Sequence, residues 1–317
     1  MDFSIKFDSL PDSRPEIAVG FGVFDGVHPG HRLIISSVAA MAAERGALPA
    51  AVTFVPHPRA VIPGMEAPPL IISVEERLKQ LRAAGAAFTG IIPFTPAFGA
   101  MEPEAFLASL LRFPAFELTG ICVGEDWRFG CGGKGDAALL ERFCAGNGLD
   151  FKAVKRLKAG DVNISSSVIR ELAGRGDLTG AARILGRELE LSGSVVRGFR
   201  VAGKELAAPT ANLELDHGLI VPDGVYAGSC CREGKSCAAV LNIGLAPTYG
   251  VGRRRIEVHL IGFDGDLYGE KITVKLLGYL RPERKFSSPD ELKKQITRDI
   301  AEASVIYNKS VQKGGTL

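Results

Sequence analysis

Short apolar runs alternate with amphipathic stretches through the first half of the chain. IAVGFGVF (17–24) reads as a buried strand, and His31 to Arg45 as a helix closed by Gly46. ALPAAVTFV (47–55) is the next strand, followed by a proline-rich loop through Pro69. Ser73 with Glu76 forms a capping box that opens a helix running to about Ala84. TGIIPF (89–94), GICVG (120–124) and LDFKAVK (149–155) are further strands, with helices over 102–112 and 136–147 between them. Strands separated by helices in this rhythm predict an α/β domain of Rossmann-like type, a parallel sheet with helices on both faces. Such sheets bind ligands at the carboxyl ends of their strands.

The texture changes near residue 186. LELSGSVVRGFRVAGKE, GVYAGSCCREGKSCAAVLNIG and RRIEVHLIGFDGDLYGEKITVKLLGYL are short β-rich runs broken by glycine turns, the pattern of an all-β antiparallel sandwich or barrel. A helix follows from a capping signal at Ser288 to about Tyr307, with Leu292, Ile296, Ile300 and Ala303 at helical spacing. The expected division is therefore 1–185, an α/β domain, and 186–317, a β-barrel with a C-terminal helix. A length of 317 residues is enough for two cores.

Composition narrows the function classes only a little. A net charge of +2 gives no bulk field for nucleic acid or an acidic membrane, although one cleft could still hold an anion. The run Arg253 to Arg255 is short and lies beside a turn, so a nucleic-acid role gains little from it. The six cysteines form no CxxC pair and read as reduced thiols, Cys231 and Cys237 lacking a histidine at ligand spacing. No signal peptide or long apolar stretch is present, so neither a membrane nor an export route is expected, and the expected compartment is the cytoplasm.

Chemistry enters with GVFDGVHPGHR (22–32), between a strand and a helix. That setting puts His28 and His31 at a helix N-terminus, where free N–H groups and the helix dipole favour an anion. Gly26 and Gly30 let the backbone approach a ligand, and Pro29 suits a first helical turn. Two imidazoles three residues apart could hold phosphate oxygens and stabilise charge developing in phosphoryl or nucleotidyl transfer. A metal would need further ligands, for which His57 is the nearby candidate. ISSSVIR (164–170) places Ser165, Ser166 and Ser167 at a helix start with Arg170 one turn on; capping needs only one hydroxyl, and three with an arginine could hold a triphosphate.

In the second half, Thr210 and Asn212 of PTAN (209–212) are hard oxygen donors suited to Mg²⁺ with nucleotide phosphates, though an isolated PTAN is more simply a proline-initiated turn. Glu257 and His259 of IEVH alternate along a strand and so share a face. Glu257 could be a general base toward a primary hydroxyl, or a surface strand residue.

FDGVHPGH and ISSSVIR, with VTFVPHPR (52–59) and VGEDWRFG (123–130) between them, resemble the nucleotidyltransferase module of bacterial bifunctional riboflavin kinase/FAD synthetases. PTAN, LNIGLAPTYG (241–250), IEVHLIGFDGDLYG (256–269) and LRPERKF (280–286) resemble the riboflavin kinase module of the same family. The resemblance implies phosphorylation of riboflavin to FMN and adenylylation of FMN to FAD, with ATP as co-substrate in both steps and Mg²⁺ as the metal. It assigns ATP phosphates to His28, His31, Phe24, Gly26, Gly30, Ser165–Ser167 and Arg170, and the flavin side of that cleft to Pro56, Pro58, Asp126 and Phe129. In the barrel it assigns Mg²⁺ and ATP to Thr210 and Asn212, base catalysis to Glu257, a nucleotide-covering loop to Arg197–Lys204 with Gly203 and Lys204, and flavin contacts to Arg281 and Phe286. Val23 and Val55 in the first half, and Ala207, Ala208 and Ala246 in the second, depart from the family pattern. The rival readings are an adenylyltransferase with a degenerate kinase barrel, a different HxGH nucleotidyltransferase, and a flavin-binding regulator without turnover. Oligomeric state is not legible.

Overall fold

The computed structural model describes residues 3–196, 210–232, 234–245 and 254–314. By its contacts the chain forms two compact units, Met1–Pro68 with Val74–Ser165 and Pro69–Ser73 with Ser166–Leu317.

The first unit opens with β1 (Lys6–Phe7), β2 (Glu16–Phe21), α1 (Pro29–Arg45) and β3 (Leu48–Val55), then α2 (Val74–Ala83) and β4 (Phe88–Pro93). It continues through α3 (Pro96–Gly99), α4 (Pro103–Leu111), β5 (Glu117–Gly124), α5 (Ala137–Gly146) and β6 (Asp150–Val154), and ends in the hairpin of β7 (Lys158–Ala159) and β8 (Val162–Asn163). The six-stranded sheet has the order β1-β4-β3-β2-β5-β6. All pairings are parallel except that of β1 with β4, so the expected parallel sheet carries one short antiparallel strand at its margin. β2 is buried from Ile17 to Phe21, as an apolar strand covered on both faces must be. Its chain neighbour β3 lies to one side and β5 to the other. The order therefore reverses between β2 and β5, and the crevice at their carboxyl ends is where such a sheet takes a ligand.

Local chemistry fixes the helix ends. His28 caps α1, Pro29 occupies its first turn, and Gly46 takes a left-handed conformation at its end. Asp136 caps α5 by accepting the Leu139 N–H at 2.9 Å. An aromatic core of Phe21, Phe106, Phe116 and Phe129, with Leu107 and Leu110 of α4, fills one side of the sheet.

The second unit contains α6 (Ser166–Gly174), α7 (Leu178–Leu185), β9 (Leu189–Val196), β10 (Ala211–Leu215), β11 (Gly224–Arg232), β12 (Lys235–Leu245), β13 (Arg254–Leu260), β14 (Lys271–Arg281) and α8 (Pro289–Gly314). The six strands close into an antiparallel barrel in the order β10-β13-β12-β11-β14-β9, as the β-rich texture predicts. Tyr226, Leu241, Ile243, Val258 and Val274 fill it. α8 packs on β11, β12 and β14. Its start is the predicted cap: Ser288 Oγ accepts the Glu291 N–H at 3.2 Å, and Glu291 reaches back to Ser287.

The expected boundary after residue 185 falls later than the division by contacts, which comes after Ser165. α7 buries Leu178, Ile184 and Leu185 and packs on β9 and β14, while α6 packs on α7. Apolar burial thus draws both helices to the barrel.

Candidate active sites

The segment Gly22–His28 leaves the carboxyl end of β2 and turns into α1. Gly26 takes φ 81°, and the non-glycine residues Phe24 and Val27 take φ 53° and 43°. Such conformations cost about 1–3 kcal/mol each in a non-glycine residue and persist only where the surroundings enforce them. The result is a tight turn that sets two imidazoles face to face: the rings of His28 and His31 stack at 3.6 Å with 19° between their planes. His28 Nδ1 accepts the His31 N–H at 3.3 Å. Gly30 suits this closeness, because a Cβ there would lie 3.2 Å from the His28 ring and press it aside by a few tenths of an ångström.

His31 Nδ1 is buried without a hydrogen-bond partner among the described residues. Its imidazole is held well below the ordinary histidine range, first by burial and then by the positive charges of His28 and Arg77. A neutral His31, partly exposed at a helix N-terminus, is suited to an incoming polar or anionic ligand. The edge of the Phe24 ring meets the His31 ring at 5.3 Å, so Phe24 sets the ring's orientation.

The aromatic wall has a second member. Phe129 is buried, 8% exposed. Trp127 is partly exposed, stacked on Phe129 at 4.8 Å and on Phe21 at 5.8 Å. Trp127 follows β5 and Phe21 ends β2, so the stack sits at the sheet's switch point. Two-residue spacing puts Trp127 and Phe129 on one side of the chain, where they stack, so the pair could have been read together from the sequence. Asp126 is exposed and paired with Arg156. Pro56 is exposed and follows a cis peptide bond, and Pro58 opens a short 3₁₀ turn capped by His57, whose Nδ1 accepts the Arg59 N–H. His57 is thus occupied as a cap, and among the described residues no three histidine, cysteine or acidic side chains are grouped as a metal would require. α6 begins at Ser166, so Ser165 precedes the helix and Ser166 and Ser167 lie in its first turn; Arg170 Nε donates to Pro69 O at 2.8 Å.

In the barrel unit, a cavity of about 330 Å³ is lined by Thr210, Glu257, His259, Arg281 and Phe286, among others. Four of the side chains singled out from the sequence, Thr210, Glu257, Arg281 and Phe286, therefore meet at one place. Asn212 lies opposite Glu257 in the β10–β13 pairing, and Asn242 lies opposite Glu257 on β12. Arg255 Nη2 is 2.7 Å from Glu257 Oε1, and Arg255 Nε donates to Asn212 Oδ1. Arg281 is locked by Asp299 of α8, Nη2 donating to Oδ2 at 2.7 Å, with Gln295 donating to the same carboxylate. The Arg281 and Arg284 guanidinium groups lie 5.7 and 4.7 Å from the Phe286 ring centre.

The sequence reading missed Asn242, Glu283 and Asp299 in this cavity. Burial pushes the Glu283 carboxyl above its ordinary range, and the carboxylates of Asp223 and Glu257 add to it against a hydrogen bond from Asn242. Only strand register, invisible in a single segment, brings Asn242 beside Glu257. Gly203, Lys204 and the Arg197–Lys204 loop, with Ala207, Ala208 and Ala246, lie outside the described residues.

Residues 10–168 match the family described as FAD synthetase, and residues 185–307 the family described as riboflavin kinase. The chain is 34% identical over 279 residues to the bifunctional riboflavin kinase/FMN adenylyltransferase of Escherichia coli (strain K12), covering 88% of each chain. Identity to the protein of the same description from Bacillus subtilis (strain 168) is 32% over 304 residues, 93% of each. The crystal structure of a protein described as a macrolide-efflux protein from Streptococcus pneumoniae has the same fold, with a TM-score of 0.80 at 27% identity over 92% of this chain and 94% of that one.

Proposed function

The chain belongs to the bifunctional riboflavin kinase/FMN adenylyltransferase family, and from that premise we propose how its residues divide the two reactions. The enzyme phosphorylates riboflavin to FMN and adenylylates FMN to FAD with release of pyrophosphate, using ATP for both. An adenylyltransferase with a relic barrel, another HxGH transferase and a flavin-binding regulator are not favoured, since both family domains match.

For adenylyl transfer, FMN phosphate attacks the α-phosphate of ATP and pyrophosphate leaves. His28 and His31 act as donors to phosphate oxygens on which charge accumulates, a role supported by their position at the α1 N-terminus and by their stacked rings. Phe24, Gly26 and Gly30 shape the cradle, and Ser165, Ser166, Ser167 and Arg170 hold the distal phosphates. Trp127, backed by Phe129, joins Pro56, Pro58 and Asp126 as the flavin side.

For phosphorylation, Glu257 accepts the proton of the ribityl 5′-hydroxyl as its oxygen attacks the γ-phosphate of ATP. Arg255 fixes the direction of that carboxylate and holds Asn212 beside it. Thr210 and Asn212 carry hard oxygen donors of the kind Mg²⁺ takes, and Glu257 lies opposite Asn212, so the donor set fits Mg²⁺ once Arg255 releases Asn212 Oδ1. Bound there, Mg²⁺ would neutralise phosphate charge. Gly203 and Lys204 complete the nucleotide site, and Arg281 with Phe286 takes the flavin. The meeting of Thr210, Glu257, Arg281 and Phe286 on one cavity carries this reading.

The six cysteines are free, in keeping with a reducing cytoplasm. No helix among the described residues is long and apolar enough to cross a membrane, and no nucleic acid is needed by either reaction. The test is chromatographic: purified protein with riboflavin, ATP and Mg²⁺ should yield FMN that then converts to FAD. FAD from supplied FMN but no product from riboflavin would reject the kinase assignment.

A further inference from the structure

Arg77 of α2 is the largest fully buried side chain among the described residues, at 1% exposure, and Asp25, also at 1%, is its ion-pair partner with Nη2 3.8 Å from Oδ1. Arg77 Nη1 also donates to Thr53 Oγ1 at 3.3 Å, and Thr53 Oγ1 donates to the Val23 carbonyl at 2.8 Å. One guanidinium therefore holds residues on both sides of Phe24, whose φ of 53° needs enforcement. Phe24 in turn meets His31. A buried ion pair is often no more stabilising than apolar side chains of the same volume, so general stability does not explain an arginine at this place. The strained turn beside it does.

We infer that Arg77 is a positioning residue for adenylyl transfer: through Asp25 and Thr53 it clamps the Gly22–His28 turn so that His28 and His31 face the nucleotide phosphates. The inference rests on the reading of the histidine turn as the ATP site. Arg77 touches no substrate in this scheme. Its effect falls on the geometry of the reacting phosphates, where a displacement of about 1 Å can cost about a hundredfold in rate.

The deciding experiment uses the full-length enzyme and measures kcat and KM for FMN adenylylation in R77M, R77K, D25N, D25N/R77M and H28A/H31A. Riboflavin phosphorylation in the same preparations is the internal reference, and emission from Trp127, the single tryptophan, reports folding of the first unit. R77M should lose about tenfold or more in kcat with KM for FMN nearly unchanged, and R77K should recover most of it. D25N should fall in parallel, and D25N/R77M should be no worse than either single variant, because both remove one clamp. If folded R77M adenylylates at the wild-type kcat, or if R77K is as impaired as R77M, the inference is overturned. Should R77M fail to fold, wild-type kcat in D25N overturns it. Full adenylylation in H28A/H31A would instead overturn the reading of the histidine turn.

Discussion

Asn212 and Glu257 stand directly opposite each other across the β10–β13 pairing, and Arg255 binds both. The candidate base and the candidate metal donor are thus set by strand register and tied by one cation, before any ligand is present. Replacing Glu257 by Gln keeps the shape and removes the proton acceptor. E257Q should lose about a hundredfold or more in FMN formation from riboflavin and leave FAD formation from supplied FMN intact. Equal loss in both activities would mean that the substitution damages the protein rather than the chemistry.

The lowered titration of His31 fixes a direction for the pH dependence of stability. Unfolded, the imidazole protonates near 6.5; folded, it does so only at lower pH. Below 6.5 the unfolded state therefore binds more protons, so stability is lost as pH falls from 6.5 toward the folded value, at up to about 1.4 kcal/mol per pH unit. Urea unfolding followed by Trp127 emission should show this loss between pH 7.5 and 5.5, and H31Q should flatten it.

Asp299 is 3% exposed and receives Arg281 in a two-pronged pair. D299A strands a partly buried guanidinium, and breaking a buried pair from one side costs about 3 kcal/mol. Because Arg281 lines the cavity, KM for riboflavin should rise as well. Denaturation midpoints and kinase kinetics measured on one preparation check both effects; a stability loss with unchanged KM would remove Arg281 from the flavin side.

Gly193 of β9 lies where β9 meets β10, and a Cβ there would overlap the backbone carbonyl of Glu214. That atom cannot rotate away as a side chain can. G193A should destabilise the barrel by about 1–3 kcal/mol and depress phosphorylation before adenylylation as denaturant is added. Coincident loss of the two activities would contradict this.

The turn and its helix were legible because GVFDGVHPGHR combines a strand end, glycines, a helix-starting proline and two histidines in eleven residues. The barrel was legible from glycine-punctuated β runs. Arg77 was not: EERLKQLR has the charge pattern of a solvated helix face, and nothing local says that this arginine turns inward. The depth of Phe129 was not legible for a related reason. Trp127 and Phe129 are two residues apart and share a side, and how deeply each is covered depends on Phe21 and Phe106, far away in sequence. Asn242 needed the β12–β13 register.

Closure of the barrel has a consequence for how copies of this enzyme meet in solution. A closed ring of strands offers no row of unpaired backbone groups to a neighbouring chain. In the first unit the outermost strands of the main sheet are β1, two residues long, and β6, which carries an exposed Lys152. Short length and charge are two of the devices that blunt a strand against edge-to-edge aggregation. Both main sheets are thereby guarded against growth by strand addition.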